Sequence, residues 1–195
     1  MASIKIANKN FMSQSGNDEP AITSNVTFPA GHIIQIVQAT KTETETFNNE
    51  NWTTAISSLN PSFVTKKANS KVLLQTCQHW GSGIGDAEGV GVRLYRNDGT
   101  GYAEVTAARK GGGTTWTCFF NVPGLDGDQY APHGVTASFL DSPSVAAGTT
   151  LTYAFHPRPY SSGYPVYLNK GQSFDNDTNG RWQPLTSATI MEIAT

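Results

Sequence analysis

The stretch Phe28-Pro-Ala-Gly-His-Ile-Ile-Gln-Ile-Val-Gln-Ala-Thr-Lys-Thr-Glu-Thr-Glu-Thr-Phe47 divides the chain in two. Pro29 and Gly31 disfavour a helix at the junction, and Ile33, Ile34, Ile36 and Val37 then supply the first dense β-branched run, so the stretch reads as an opening strand. The Thr42–Thr46 segment alternates Thr with Glu, which predicts an exposed or edge position where charge discourages stray pairing. Before this strand the chain is polar and irregular. After it, nearly every segment is a short alternating run followed by a turn.

Outward from that stretch, Lys71–Trp80 reads as a central strand and Gly81–Gly89 as a glycine-rich loop. Val90, Val92, Leu94 and Arg96 share one face of the next run, with Gly91, Arg93, Tyr95 and Asn97 on the other. Asn97-Asp98-Gly99 is a tight-turn signal. Trp116, Cys118, Phe120 and Val122 alternate with polar and aromatic neighbours, as do Val135, Ala137 and Phe139, and then Leu151, Tyr153 and Phe155. Pro157–Pro165 reads as a proline- and tyrosine-rich loop, Val166–Leu168 as a short strand, and Thr189–Ile193 as the last strand. With no helix-period segment longer than two turns, this spacing predicts an all-β fold, an antiparallel β-sandwich of jelly-roll type.

A length of 195 residues suits one such domain, and the 14% of charged residues leaves Thr, Ser, Asn and Gln to cover the strand faces. The net charge of −2 with scattered Lys and Arg argues against a nucleic-acid partner and against an anionic lipid surface. No apolar run is long enough to cross a membrane as a helix, and the N-terminus lacks a signal-peptide core, so synthesis in a cytosol is expected. Cys77 and Cys118 are too few for a disulfide framework; they read as buried thiols, with a disulfide formed after release from a cell as the alternative.

Residues 1–30 carry isolated apolar anchors, Ile4, Ile6, Phe11, Met12, Ile22, Val26 and Phe28, in a polar background. Such a segment buries too little surface to offset its own ordering entropy, so it is expected as an extended anchoring arm held against a partner, ahead of a sandwich head over residues 31–195.

Candidate chemistry is sparse. Asp175-Asn-Asp-Thr-Asn-Gly180 has the alternating oxygens of half a calcium loop, Asp175, Asp177 and Asn179, but Thr186 stands where a bidentate Glu is wanted, and an Asn/Asp-rich turn is the default. Asp126-Gly-Asp128 with His133 meets no zinc spacing. No nucleophile-elbow, zinc-protease or phosphate-loop motif occurs, and no carboxylate pair is singled out, so neither an enzyme nor a cofactor is expected. Aromatic residues in or beside polar loops, Trp80, Tyr130, Tyr160, Tyr164 and Trp182, are the candidate ligand contacts, because aromatic faces among Gly, Ser, Asn and Asp suit sugar or protein surfaces. Packing at the sandwich ends or between subunits is their alternative role.

An ordered set of blocks carries a family resemblance: Phe28-Pro-Ala-Gly-His-Ile-Ile-Gln with Gln38-Ala-Thr-Lys-Thr, Ala68-Asn-Ser-Lys-Val-Leu-Leu, Gly91-Val-Arg-Leu-Tyr-Arg-Asn, Ala137-Ser-Phe-Leu-Asp-Ser-Pro, Tyr153-Ala-Phe-His-Pro, Tyr167-Leu-Asn and Ala188-Thr-Ile-Met-Glu-Ile. From about residue 28 to the C-terminus the chain resembles small virion proteins and distal tail-fibre heads of tailed phages, marine and cyanobacterial ones especially. It is also similar, after Asn69-Ser-Lys and at Leu94-Tyr-Arg-Asn, to the complement- and tumour-necrosis-factor-like jelly roll. The resemblance implies a β-sandwich head, a homotrimer, displayed on a virion. It implies contacts with other virion proteins through the arm and with a host-surface glycan or protein through the head. Only about 30 residues precede the head in place of a long shaft, which favours a short knob. A decoration or cement protein, with the arm clamping neighbouring subunits, is the competing expectation; a soluble carbohydrate-binding module is a third.

Overall fold

The computed structural model describes residues 2–6, 9–16, 21–22, 28–82, 89–109, 117–122, 132–171 and 183–195. Strands dominate, and one 3-10 turn, Thr106–Ala108, is the only helical element among these residues. The strands are β1 (Ala2–Ile6), β2 (Lys9–Gln14), β3 (Ala21–Ile22), β4 (Ile33–Lys41), β5 (Glu45–Phe47), β6 (Ser62–Val64), β7 (Lys71–Ser82), β8 (Val90–Asn97), β9 (Tyr102–Glu104), β10 (Phe120–Val122), β11 (His133–Asp141), β12 (Thr150–Pro159), β13 (Val166–Leu168) and β14 (Thr186–Ile193).

From β4 onward these make two antiparallel sheets around one core, the sandwich that the alternation predicts. In the larger sheet β7 is central: β11 pairs along one edge, and β14 and then β13 pair in tandem along the other. Beyond them lie β4 against β14 and β5 against β13. The smaller sheet runs β10-β8-β12-β6, with β9 also on β8. Inward residues of both sheets, among them Leu74, Trp80, Leu94, Tyr153, Phe155, Leu168 and Ile190, are fully buried or nearly so. The non-strand segment between β5 and β6 adds Ile56 and Leu59 to that core, with Ile56 N–H bonded to Phe155 O at 2.9 Å.

The opening strand is tied to the chain's end. Gly31, at φ +84°, donates its N–H to Ala194 O at 2.8 Å, and Ala194 N–H returns to His32 O at 2.8 Å, so the β4–β14 ladder continues into the Pro29–Gly31 turn. The tandem pairs leave a break where β4 passes to β5 and β13 to β14, and Asn169 fills it. Its amide donates to the carbonyls of Lys41 (2.9 Å) and Glu43 (3.2 Å), and its Oδ1 accepts from Thr186 Oγ1 at 2.6 Å. Fully buried and at φ +59°, a conformation Asn tolerates better than most residues, Asn169 ties the end of β4 and the start of β14 to the link that leads into β5.

Three sequence expectations are corrected. Residues 2–22 are not one extended arm: β1, β2 and β3 form a separate antiparallel sheet, in which Ile4 pairs with Met12 and Met12 with Ile22. The hairpin satisfies backbone groups locally, which an extended arm leaves to a partner. Glycine 81 lies within β7, not at the start of a loop. And β12 runs through Pro157 and Pro159, where a loop was expected. The reason is edge geometry. Tyr153 N–H and Phe155 O face away from β8, bonding Pro61 O and Ile56 N–H, so the nitrogens of Pro157 and Pro159, in the same phase, also face away from β8. The missing donors cost no ladder bond, because β6 pairs only with Thr150–Thr152.

Candidate functional site

The outer face of the smaller sheet is where polar side chains converge. On β8 and β12, Gly91 pairs with Arg158 and Arg93 with His156, so these four form a two-by-two block pointing out of the sandwich. Gly91 leaves a hole in that block, and the Trp52 indole fills it: a Cβ on Gly91 would stand 2.8 Å from Trp52 Cη2. A glycine inside a strand is the sequence-level sign of such a close approach. The Arg93 guanidinium sits 4.3 Å from the Trp52 ring centre and that of Arg158 5.7 Å, both within cation–π range.

Further bonds close this layer. Arg93 Nε–H donates to Thr117 O (2.9 Å) and its Nη1 to Glu104 Oε2 (3.3 Å), while Arg109 reaches the other oxygen of Glu104 at 3.3 Å. His156 Nδ1 lies 2.8 Å from Trp52 O, and its ring stacks on Tyr95 at 4.0 Å. Burial pushes the His156 pKa down, so the neutral ring donates Nδ1–H to that carbonyl and leaves Nε2 as an acceptor, unpartnered among the described residues. Cys118, beside Gly91, has its thiol pushed up by burial, which suppresses the thiolate. Both cysteines are free, with Cys77 on the opposite sheet, and both are half-buried rather than the buried thiols expected, Cys77 because it points outward from β7.

At the border of this layer lies an open depression of about 590 Å³, lined by Asn48, Asn49, Glu50, Asn51, Arg158 and Ser162. Asn49 Oδ1 accepts Asn51 N–H at 2.9 Å, shaping the loop, and Glu50 Oε1 accepts Ser162 N–H at 2.7 Å, joining that loop to the turn after β12. That bond holds the Glu50 carboxyl below the usual range. The turn closes through Tyr164 N–H to Ser161 O at 3.0 Å.

The candidate ligand aromatics divide. Tyr160 and Tyr164, 53% and 41% exposed, bracket the turn that carries Ser162. Trp80 is corrected: it is fully buried on β7, its Nε1–H donating to the buried Gln78 at 3.1 Å, and its face is closed to any ligand. Tyr130 and Trp182 lie outside the described residues, as do the calcium candidates Asp175, Asp177 and Asn179. Of the anchors, Ile4 and Met12 are placed on β1 and β2, Ile6, Phe11 and Ile22 on the strands of the same sheet, and Phe28 stacks on His32 at 5.3 Å; Val26 lies outside the described residues. Among the described residues no three His, Cys, Asp or Glu side chains group as metal ligands, and no helix is long and apolar enough to cross a membrane. Asn48–Asn51 and Arg158 were missed by sequence reasoning. The Asn-rich run between Phe47 and Trp52 was visible, but nothing local tied it to residue 158.

The outer face of the larger sheet is of another kind. Cross-strand register sets Ile36, Met191, Leu73 and Leu140 in one row across β4, β14, β7 and β11. The next row is Gln38, Thr189, Gln75 and Ser138, and the third Thr40, Ser187, Cys77 and Thr136. None of these carries a charge, and Ile36 and Leu140 are 58% and 46% exposed; the exposed Lys71, in the row of Ile33 and Ile193, borders them at one end.

No protein-family model matches the chain, and no curated protein matches it either. The class that fold and site define is therefore an all-β sandwich with one sheet face uncharged over its centre and one polar loop border.

Proposed function

We propose that the protein is a non-enzymatic virion structural protein, a β-sandwich knob that self-associates, as a trimer in line with the family it resembles, and is displayed for host-surface adhesion. It is made in the host cytoplasm and resides on the particle. The observation that carries this reading is the uncharged centre of the larger sheet's outer face, three rows bordered at one end by Lys71. Interface cores are depleted of charge, and a face without charge meets a second copy of itself without like-charge repulsion. Self-association then multiplies weak contacts at the loop ends into useful avidity. The test is sedimentation of the whole chain together with binding to host envelopes. A defined oligomer that adsorbs to envelopes is expected; a monomer at all concentrations, or an oligomer that adsorbs to none, counts against it.

A second reading, a decoration or cement protein, is favoured by the N-terminal sheet, where Ile4 stands 59% exposed beside its partner Met12. An edge strand that exposes an apolar side chain suits docking on neighbouring shell or tail subunits. Removing residues 1–27 should abolish particle occupancy under this reading, and full occupancy after the deletion would sink it.

A further inference from the structure

We propose that the depression between Asn48–Asn51 and the turn after β12 binds a neutral saccharide, an inference that rests on the adhesion reading and names the ligand class of the head. Its volume of about 590 Å³ falls within the usual range for small-molecule sites, roughly 300–1,000 Å³, and its open form suits one unit of a longer glycan.

The lining matches the hydrogen-bonding of a sugar. Vicinal hydroxyls both donate and accept. Asparagine amides offer a donor and an acceptor on one planar group, Glu50 offers acceptors, and Arg158 offers donors. Glu50 and Arg158 also cancel in charge, so the lining provides no net attraction for an anionic or a cationic ligand. A purely hydrophobic ligand finds little here, since every lining side chain is polar. Tyr160 and Tyr164, the exposed aromatics on either side of Ser162, do not line the depression but flank the turn that supplies its Ser162 wall, where the apolar face of a sugar ring reaching past that wall would meet them.

The walls are set before any ligand arrives. Glu50 is clamped to Ser162 N–H, Asn49 caps Asn51, and Arg158 stands on a strand beside the Trp52 ring, which is itself seated on Gly91. Holding polar groups in place lowers the ordering cost of binding, which matters for a ligand as weakly held as one sugar.

The test uses the isotopically labelled full chain and amide NMR, with methyl glycosides of glucose, galactose and mannose as neutral probes and with glucuronate and glucosamine as charged comparators. At least one neutral glycoside should shift the amide signals of Asn49, Asn51 and Ser162. Asn51→Ala and Tyr164→Ala should each weaken that binding about tenfold while the remaining signals keep their dispersion, which separates lost binding from lost folding. No shift at these residues with any neutral glycoside overturns the proposal, and so does a larger response to glucuronate or glucosamine. Envelope adsorption by the same proteins separates the two readings. A wild type that adsorbs with an Asn51→Ala variant that adsorbs equally well rejects this site and leaves adhesion standing. A wild type that binds a glycoside here but adsorbs to no envelope rejects adhesion and leaves the site.

Discussion

The two outer faces of the sandwich use the same strand alternation to opposite ends. On the smaller sheet, the outward residues Arg93 and His156 are 6% and 7% exposed, because the segment carrying Trp52 folds over them. On the larger sheet, three central rows of outward residues are uncharged, with Ile36 at 58%, and Lys71 stands at their border. A covered face holds charge because each charge has a partner: Arg93 has Glu104, Thr117 O and the Trp52 ring. An open face without charge is instead suited to being covered later, by another molecule. The difference shows that alternation assigns residues to two faces but leaves open which face is finished within the chain.

The largest expected effect breaks the junction that joins β4 to β14 in the sheet carrying the open face. Asn169→Ala removes bonds to Lys41 O, Glu43 O and Thr186 Oγ1 in a fully buried site and strains a residue at φ +59°, and should cost about 3 kcal/mol in urea unfolding. Asn169→Gly keeps the backbone freedom and should recover part of that loss; equal losses in both variants would remove strain from the account.

The covered face is tested next. Trp52→Ala uncovers Gly91 and takes away the ring over which Arg93 sits, and should cost about 2–3 kcal/mol by the same measurement. Gly91→Ala pushes on the ring from below, its Cβ 2.8 Å from Trp52 Cη2, and should cost about 1–3 kcal/mol in the wild type but much less in the Trp52→Ala background. Additive losses would mean that the two do not meet as described.

A charge placed on the open face sharpens the contrast. Leu140→Lys should change the chain's own stability by less than about 0.5 kcal/mol, because Leu140 is 46% exposed. Sedimentation should nevertheless show self-association lost. A large stability loss with association intact would assign this face to the chain's own core.

The smallest effect is a pH dependence confined to the covered face. Burial depresses the His156 pKa below its ordinary 6.5. The unfolded chain therefore takes up a proton near that value while the folded chain refuses it, so His156 lowers stability progressively as pH falls below about 6.5, until the folded pKa is reached. Urea midpoints of His156→Gln across the same range should lack this component. A wild type whose midpoint rises on acidification through that window would contradict the assignment of a neutral, Nδ1-protonated ring.

Much of this architecture is legible in residue order. The β-branched run after Gly31, the alternation at Val90–Leu94 and Leu151–Phe155, and the turn at Asn97–Gly99 each identify strands or reversals from a few neighbouring residues. The candidate site is legible only in part. Tyr160 and Tyr164 stand out as exposed aromatics in a polar turn, but Trp80, equally aromatic and next to glycine, is the core's own. Arg158 looked like a loop residue because two prolines surround it, and it became a strand residue because those prolines face an edge with no partner.

By itself the sequence determined an all-β chain and the order of most strands, since period-2 alternation and turn chemistry act over a few residues. Only the tertiary structure decided that Met12 pairs with Ile4 on one side and Ile22 on the other, that Trp52 seals one sheet, and that Glu50 meets Ser162 112 positions away. Those outcomes depend on which distant segment fits a given face and satisfies its polar groups. The opening stretch from Phe28 to Phe47 shows both: its β-branched residues dictate a strand, while its place at the sheet's border, hydrogen-bonded to the chain's last residues, was set by closure of the whole sandwich.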